Sequence, residues 1–121
     1  MSTPAFRRML AASAWARALP PDEFERVVAE TVVRSCPAGG LACRKGEPVD
    51  HWVGVVDGLV KMANVSVEGK PTSFTGIGTG GWFGEGSLLK DEPRRYDIVA
   101  LRESLIAYMP RATFARLLDT N

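Results

Sequence analysis

The chain has 121 residues, 45% of them hydrophobic and 24% charged, which is one domain of ordinary soluble globular composition. Fifteen Lys and Arg against 14 Asp and Glu leave a net charge of +1, so bulk electrostatics give no reason to expect nucleic acid or an anionic membrane surface as a partner. No apolar run approaches the ~20 residues of a membrane span, and a single histidine, His51, with two cysteines, Cys36 and Cys43, excludes zinc-type ligand sets and a disulfide framework. Residues 3–19 predict a helix, with Pro4 suited to its first turn and Phe6, Met9, Leu10, Ala14 and Leu19 at near-helical spacing. Pro20-Pro21 stops it. Pro21-Asp22-Glu23 opens a second helix with acids near its positive end, and Phe24, Val27, Val28 and Thr31 mark its inner face.

From Val32 the texture changes to short apolar runs punctuated by Gly and Pro, which predicts β structure. Candidate strands are Val32–Cys36, Leu41–Arg44, His51–Asp57, Leu59–Val67, Pro71–Gly76 and Ile98–Tyr108. Asp57-Gly58 between two β-rich runs is a strong local hairpin signal, and Glu68-Gly69-Lys70 is a second. Strands spaced near ten residues apart argue for a sandwich or barrel. Gly84-Glu85-Gly86-Ser87-Leu88-Leu89 lacks alternation and reads as one or two helical turns. After Met109, Pro110 starts a last helix through Leu118. Trp52, Trp82 and Phe83 read as core or barrel-end residues, and His51, after Asp50, reads as a surface residue.

The stretch that carries chemistry is Gly80–Ala100, GGWFGEGSLLKDEPRRYDIVA. The start of a short helix presents unpaired backbone N–H groups and a positive dipole end. Small residues there, Gly84, Gly86 and Ser87, let an anion approach the backbone closely. An arginine returning from the next turn can close a planar fork over the same anion. Glu85 would repel a phosphate set directly on it but suits a neighbouring sugar hydroxyl. The set reads as a cradle for phosphate plus ribose; a helix cap with a surface ion pair is the plainer reading of the same residues.

Phe83-Gly84-Glu85-Gly86-Ser87-Leu88-Leu89 followed by Pro93-Arg94 resembles the phosphate-binding cassette of cyclic-nucleotide-binding domains, in the style of bacterial CRP/FNR-type transcription regulators. Gly46-Glu47, Trp52–Val60, Gly80, Ala100, Ser104-Leu105 and Met109-Pro110 fit the same pattern, so the resemblance runs over about residues 23–119. It implies a mainly β, double-stranded β-helix jelly roll with flanking N- and C-terminal helices. Residues 1–31 would form the N-terminal helices, 32–109 the roll with its cassette at 80–100, and 110–121 the start of a C-terminal helical region. It implies that Glu85 binds a ribose hydroxyl, that amides of Gly86, Ser87 and Leu88 behind Gly84 hold a cyclic phosphate, and that an arginine pairs with it. Counting forward from Gly84 selects Arg95; counting back from Ala100 selects Arg94, which also follows a proline as in the family and is the preferred register. Tyr96 follows, and Phe74 and Thr75 lie on the strand that faces the pocket.

The implied function is a non-enzymatic, cytoplasmic effector domain that senses a small anionic ligand. No cofactor is required; cAMP or another nucleotide-like anion is the ligand the resemblance allows. DNA is expected only through a C-terminal domain that this sequence lacks, a homodimer belongs to the full-length protein, and no membrane is involved. Two alternatives stay open. Tyr96 and Asp97, where the family carries small residues, support a degenerate roll that binds no cyclic nucleotide and serves as a protein-interaction module. Cys36 and Cys43, separated by a Pro-Ala-Gly-Gly turn, support a redox-sensing module. A cupin-like enzyme needs a His and carboxylate metal cluster that one histidine does not supply.

Overall fold

A computed structural model describes residues 3–65 and 71–120. Three helices come first: α1 (Thr3–Ala12), α2 (Ala14–Arg17) and α3 (Pro21–Glu30). The single helix expected over 3–19 is therefore two. Ser13 takes an extended backbone conformation (φ −86°, ψ 129°), and its hydroxyl donates to the Met9 carbonyl at 3.0 Å. This is the local competition with the helix ladder that Ser offers. The break lets Trp15 reach the rings of Trp52 and Trp82. α3 starts at Pro21 as expected, with Val27 and Val28 buried and Asp22 and Glu23 in its first turn.

Eight strands follow: β1 (Val32–Cys36), β2 (Leu41–Cys43), β3 (His51–Asp57), β4 (Leu59–Val65), β5 (Pro71–Gly78), β6 (Trp82–Phe83), β7 (Asp97–Ala100) and β8 (Ser104–Pro110). The helix α4 (Glu85–Lys90) interrupts them and α5 (Arg111–Thr120) closes the described chain. The strands form two four-stranded antiparallel sheets, ordered β1-β8-β3-β6 and β2-β7-β4-β5. This is the jelly roll that the family resemblance implied, with helices at both ends.

Three expectations change. Asp57-Gly58 does not make a hairpin, because β3 pairs with β6 and β8 while β4 pairs with β5 and β7. It is a corner where the chain leaves one sheet for the other. The run Ile98–Tyr108 is not one strand but two in different sheets, split by a second corner at Leu101-Arg102-Glu103. That corner is held by long-range bonds, Leu101 N–H to the Leu59 carbonyl at 2.8 Å and Leu59 N–H to the Ser104 hydroxyl at 3.2 Å, which no local turn residue announces. Pro110 ends β8, and α5 starts one residue later. The Glu68-Gly69-Lys70 turn lies outside the described residues, although the strands on either side of it, β4 and β5, do pair.

Two cores result. Alternate residues of β3 divide between them, as a strand with two buried faces requires. Val53 and Val55 point between the sheets to join Cys36, Cys43, Val60, Phe83, Ile98 and Ile106. Trp52 and Val56 point to the helices and join Phe6, Leu10, Val27, Leu88, Met109 and Phe114. On this outer side Trp52 and Trp82 stack at 4.3 Å. Gly54 makes room for them, since a Cβ there would lie 2.7 Å from the Trp82 ring.

Helices α3 and α5 are tied by charge. Arg116 of α5 bonds Glu23 at 2.7 Å and Glu30 at 2.8 Å. Glu30 also accepts from Thr113 at 2.9 Å and Arg26 at 3.1 Å. The Arg116 hydrogen bond is the main cause that lowers the Glu30 carboxyl to about 2, against the opposing effect of its own desolvation. A carboxyl depressed in the folded state adds stability above its unfolded value, and that stability is lost as pH falls toward the folded value. Stability is therefore expected to fall between about pH 5 and pH 2, and Glu30→Gln to flatten this acid limb in denaturant melts taken across that range.

Candidate functional site

Gly84 starts the site. It sits in the left-handed region (φ 90°, ψ 4°), where a side chain is strained. A Cβ at Gly84 would also lie 2.5 Å from Nη1 of Arg94. The guanidinium thus lies against the turn that opens α4. The Leu88 N–H donates to the Gly84 carbonyl at 3.0 Å, so that amide is used within the helix. The amides of Gly86 and Ser87, in the first turn just before it, have no intrahelical acceptor by helix geometry. Leu88 is buried and anchors α4 to the helix-side core.

Arg94 is held at both ends. Its N–H donates to the Glu47 carbonyl at 2.8 Å, and its carbonyl accepts from Gly46 at 2.8 Å. Its Nη2 donates to the His51 carbonyl at 3.3 Å. The half-buried guanidinium therefore lies between Gly84 and the start of β3. Arg95 turns the other way: its side chain is exposed and lies 3.7 Å from Glu92. The fold brings Arg94, the register preferred from the sequence, to the α4 turn and leaves Arg95 outside it.

The neighbouring carboxylates are accounted for. Asp97 accepts from the Lys45 N–H at 2.8 Å, and Glu47 accepts from the Arg44 N–H at 2.9 Å. Both are engaged by the turn between β2 and β3. Tyr96 is half-buried between Arg95 and Asp97. Glu85 is exposed, and its Oε1 accepts from the indole N–H of Trp52 at 3.3 Å. Phe74 and Thr75 stand on β5 opposite Ala63 and Met62, and their side chains lie outside the described residues.

Other residues gain a place that sequence reading did not give them. His51 is half-buried rather than a surface residue. Burial is the chief cause that moves its imidazole below the usual value, helped by Arg94 and Arg34 and opposed by Asp50. Its ring meets Tyr108 edge-on at 6.0 Å. No local motif marks His51 or Trp52 as a neighbour of the cassette, because both partnerships are long-range in sequence. Cys36 and Cys43 are free and buried. Burial raises both thiols, Cys43 to about 11, away from the thiolate form that thiol chemistry uses. Among the described residues no group of three or more His, Cys, Asp or Glu is placed to hold a metal ion, and no helix is long and apolar enough to cross a membrane.

The model of the family described as "cyclic nucleotide-binding domain" matches residues 33–121. A cyclic nucleotide-gated potassium channel of Mesorhizobium japonicum is 31% identical over 103 residues, which are 85% of this chain and 27% of that protein. The chain spans less than a third of the length of each of the curated relatives it matches. Among solved structures, the sensor domain of the transcriptional regulator DNR from Pseudomonas aeruginosa is similar with a TM-score of 0.87 at 19% identity, covering 100% of this chain and 82% of that one. The Thermus thermophilus catabolite activator protein is similar with a TM-score of 0.76 at 23% identity, covering 89% of this chain and 51% of that one.

Proposed function

Because the chain belongs to the cyclic nucleotide-binding domain family, we propose that it is the ligand-sensing effector domain of a CRP/FNR-type transcription regulator, and not an enzyme. The β-roll of residues 32–109 is the sensor, its cassette at 80–100 the site, and the helices over 1–31 and 110–121 the flanking elements. The ligand is cAMP or another nucleotide-like anion. The amides of Gly86 and Ser87 face the phosphate behind Gly84, with the Leu88 backbone, whose amide is used within α4, beside them; Arg94 supplies the fork, and Glu85 faces the ribose. Tyr96 and the β5 residues Phe74 and Thr75 border it. The protein is cytoplasmic, and its output to DNA and its dimerisation belong to the full-length regulator.

One observation carries this reading. The Arg94 guanidinium is packed against Gly84 and donates to the His51 carbonyl at 3.3 Å, so a cation already stands beside the small-residue turn where an anion can approach the backbone. Titration calorimetry with cAMP and cGMP tests it. Binding of either is expected, with Arg94→Gln weakening it by about tenfold or more, the weight of a charge-assisted hydrogen bond. Arg95→Gln is expected to change it less than about twofold, as for an exposed ion pair.

A second reading rests on the Glu85–Trp52 hydrogen bond, which engages the Glu85 carboxylate from the helix-facing side of β3. On that reading the roll is degenerate and serves as an interaction module. Absence of heat with both nucleotides selects it and overturns the first.

A further inference from the structure

A cleft of about 460 Å³ opens between the edges of the two sheets. β1 is the edge strand of one sheet and β2 the edge strand of the other, and each pairs with one strand only. No residue of the 80–100 cassette lines the cleft. Its size falls in the range of small-molecule sites.

The chemistry of the walls is specific. Val32 and Leu41 form the lips and are 45% and 39% exposed, unusually open for large apolar side chains on strands. Pro37 and the rings of Tyr108 and His51 also line the cleft. The Tyr108 hydroxyl, on β8, donates to the Ala42 carbonyl of β2 at 2.9 Å and so bridges the two sheets. Tyr108 therefore offers the cleft its ring rather than a free hydroxyl. Arg34 is the one residue with a permanent charge in the lining, which contains no Asp or Glu. The Arg34 side chain makes no hydrogen bond or ion pair among the described residues.

We propose that this cleft is a second ligand site, for a small organic carboxylate whose apolar body lies against Val32, Leu41 and Tyr108 and whose carboxylate pairs with Arg34. A mixed trough, with apolar lips at Val32 and Leu41 and one unpaired cation, fits a monoanion with a compact hydrophobic part. A cation meets Arg34 repulsively, and a neutral hydrocarbon leaves the guanidinium without a partner. His51 connects this site to the other one. It lines the cleft, and its carbonyl accepts from Arg94.

The site is separate from the cassette and stands whether or not a nucleotide binds there. Benzoate is the probe, with benzyl alcohol as its uncharged counterpart. Backbone amide chemical shifts are followed by NMR in the 121-residue chain. Benzoate is expected to bind and to move amides of Val32–Ala42 and His51, with benzyl alcohol weaker. Arg34→Gln is expected to weaken benzoate by about fivefold, as a partly exposed ion pair does, and Leu41→Glu, which sets a carboxylate on the lip, by more. Arg102→Gln removes an equal charge at an exposed site paired with Asp57 and is expected to leave binding unchanged. Both test positions are exposed, so the amide spectrum reports directly whether each variant stays folded. The proposal is overturned if benzoate does not bind, if the shifts centre on Glu85–Tyr96, if benzyl alcohol binds as well as benzoate, or if Arg34→Gln binds like the parent chain.

Discussion

Gly58→Ala is expected to destabilise the protein by about 3 kcal/mol or more, through two costs that add at one atom. Gly58 has φ 147°, a backbone region that L side chains rarely adopt. A Cβ there would lie 2.1 Å from the Ser104 hydroxyl oxygen and 2.4 Å from Ser104 Cβ. Ser104 cannot step aside cheaply. It is buried, its hydroxyl donates to the Arg102 carbonyl at 2.8 Å, and it accepts from the Leu59 N–H at 3.2 Å. Moving it opens both corners at which the chain changes sheets. For a chain of this size, such a loss lowers the melting temperature by roughly 10 °C, which a thermal melt reads. A double-mutant cycle with Ser104→Gly separates the two costs. The double variant is expected to be more stable than the sum of the two singles, because removing the Ser104 side chain relieves the clash but not the backbone strain. A purely additive cycle would show that φ alone carries the effect.

The same corner shows which parts of the fold the sequence makes legible. Strand positions were readable where a Gly or Pro turn bounded an apolar run, as at Val32–Cys36 and His51–Asp57. Which sheet a strand joins was not. Asp57-Gly58 has the composition of a hairpin turn, yet Gly58 serves to pass close over Ser104, 46 positions further on. The β7–β8 corner has neither Gly nor Pro, because its geometry comes from bonds to Leu59. β6 is two residues long and exists through pairing with Val53 and Gly54, beyond the reach of periodicity. The cassette was readable for a different reason. Its glycines, its carboxylate and its arginine fall within twelve positions, so composition and spacing carry it. The choice between Arg94 and Arg95 was not local. It follows from the bonds of Arg94 to Gly46, Glu47 and His51. The hydrogen bond of Glu85 to Trp52 joins residues far apart in sequence and leaves no local motif, and the cleft between β1 and β2 is completed by the distant His51 and Tyr108.

Arg111→Met is expected to cost about 2–4 kcal/mol and to loosen α4 from α5, the second large effect. Arg111 is the first residue of α5. Its Nη1 donates to the Leu88 carbonyl at 2.8 Å, and its Nη2 donates to the Val49 carbonyl and, at 3.0 Å, to Asp91. Its own N–H donates to the Asp50 carbonyl at 2.9 Å. These bonds differ in weight. Asp91 is 87% exposed, so that ion pair contributes little. Leu88 and Val49 are buried residues, and their carbonyls lose a charged donor that the methionine side chain does not replace. The Leu88 carbonyl belongs to the last turn of α4, where a cation also meets the negative end of the helix. Methionine keeps most of the apolar stem of arginine, so lost packing is not the main cost. The backbone bond to Asp50 survives the change, which keeps α5 starting at the same place. The loss is therefore local to the joint between cassette helix and α5. Amide exchange is expected to accelerate in α4 and at the start of α5 more than in the β3 core strand. Uniform acceleration across all three would mean that Arg111 contributes only to global stability. A selective one would identify it as the side chain through which a change at Gly84–Leu88 reaches the C-terminal helix, the physical requirement for a site in this cassette to alter anything beyond itself.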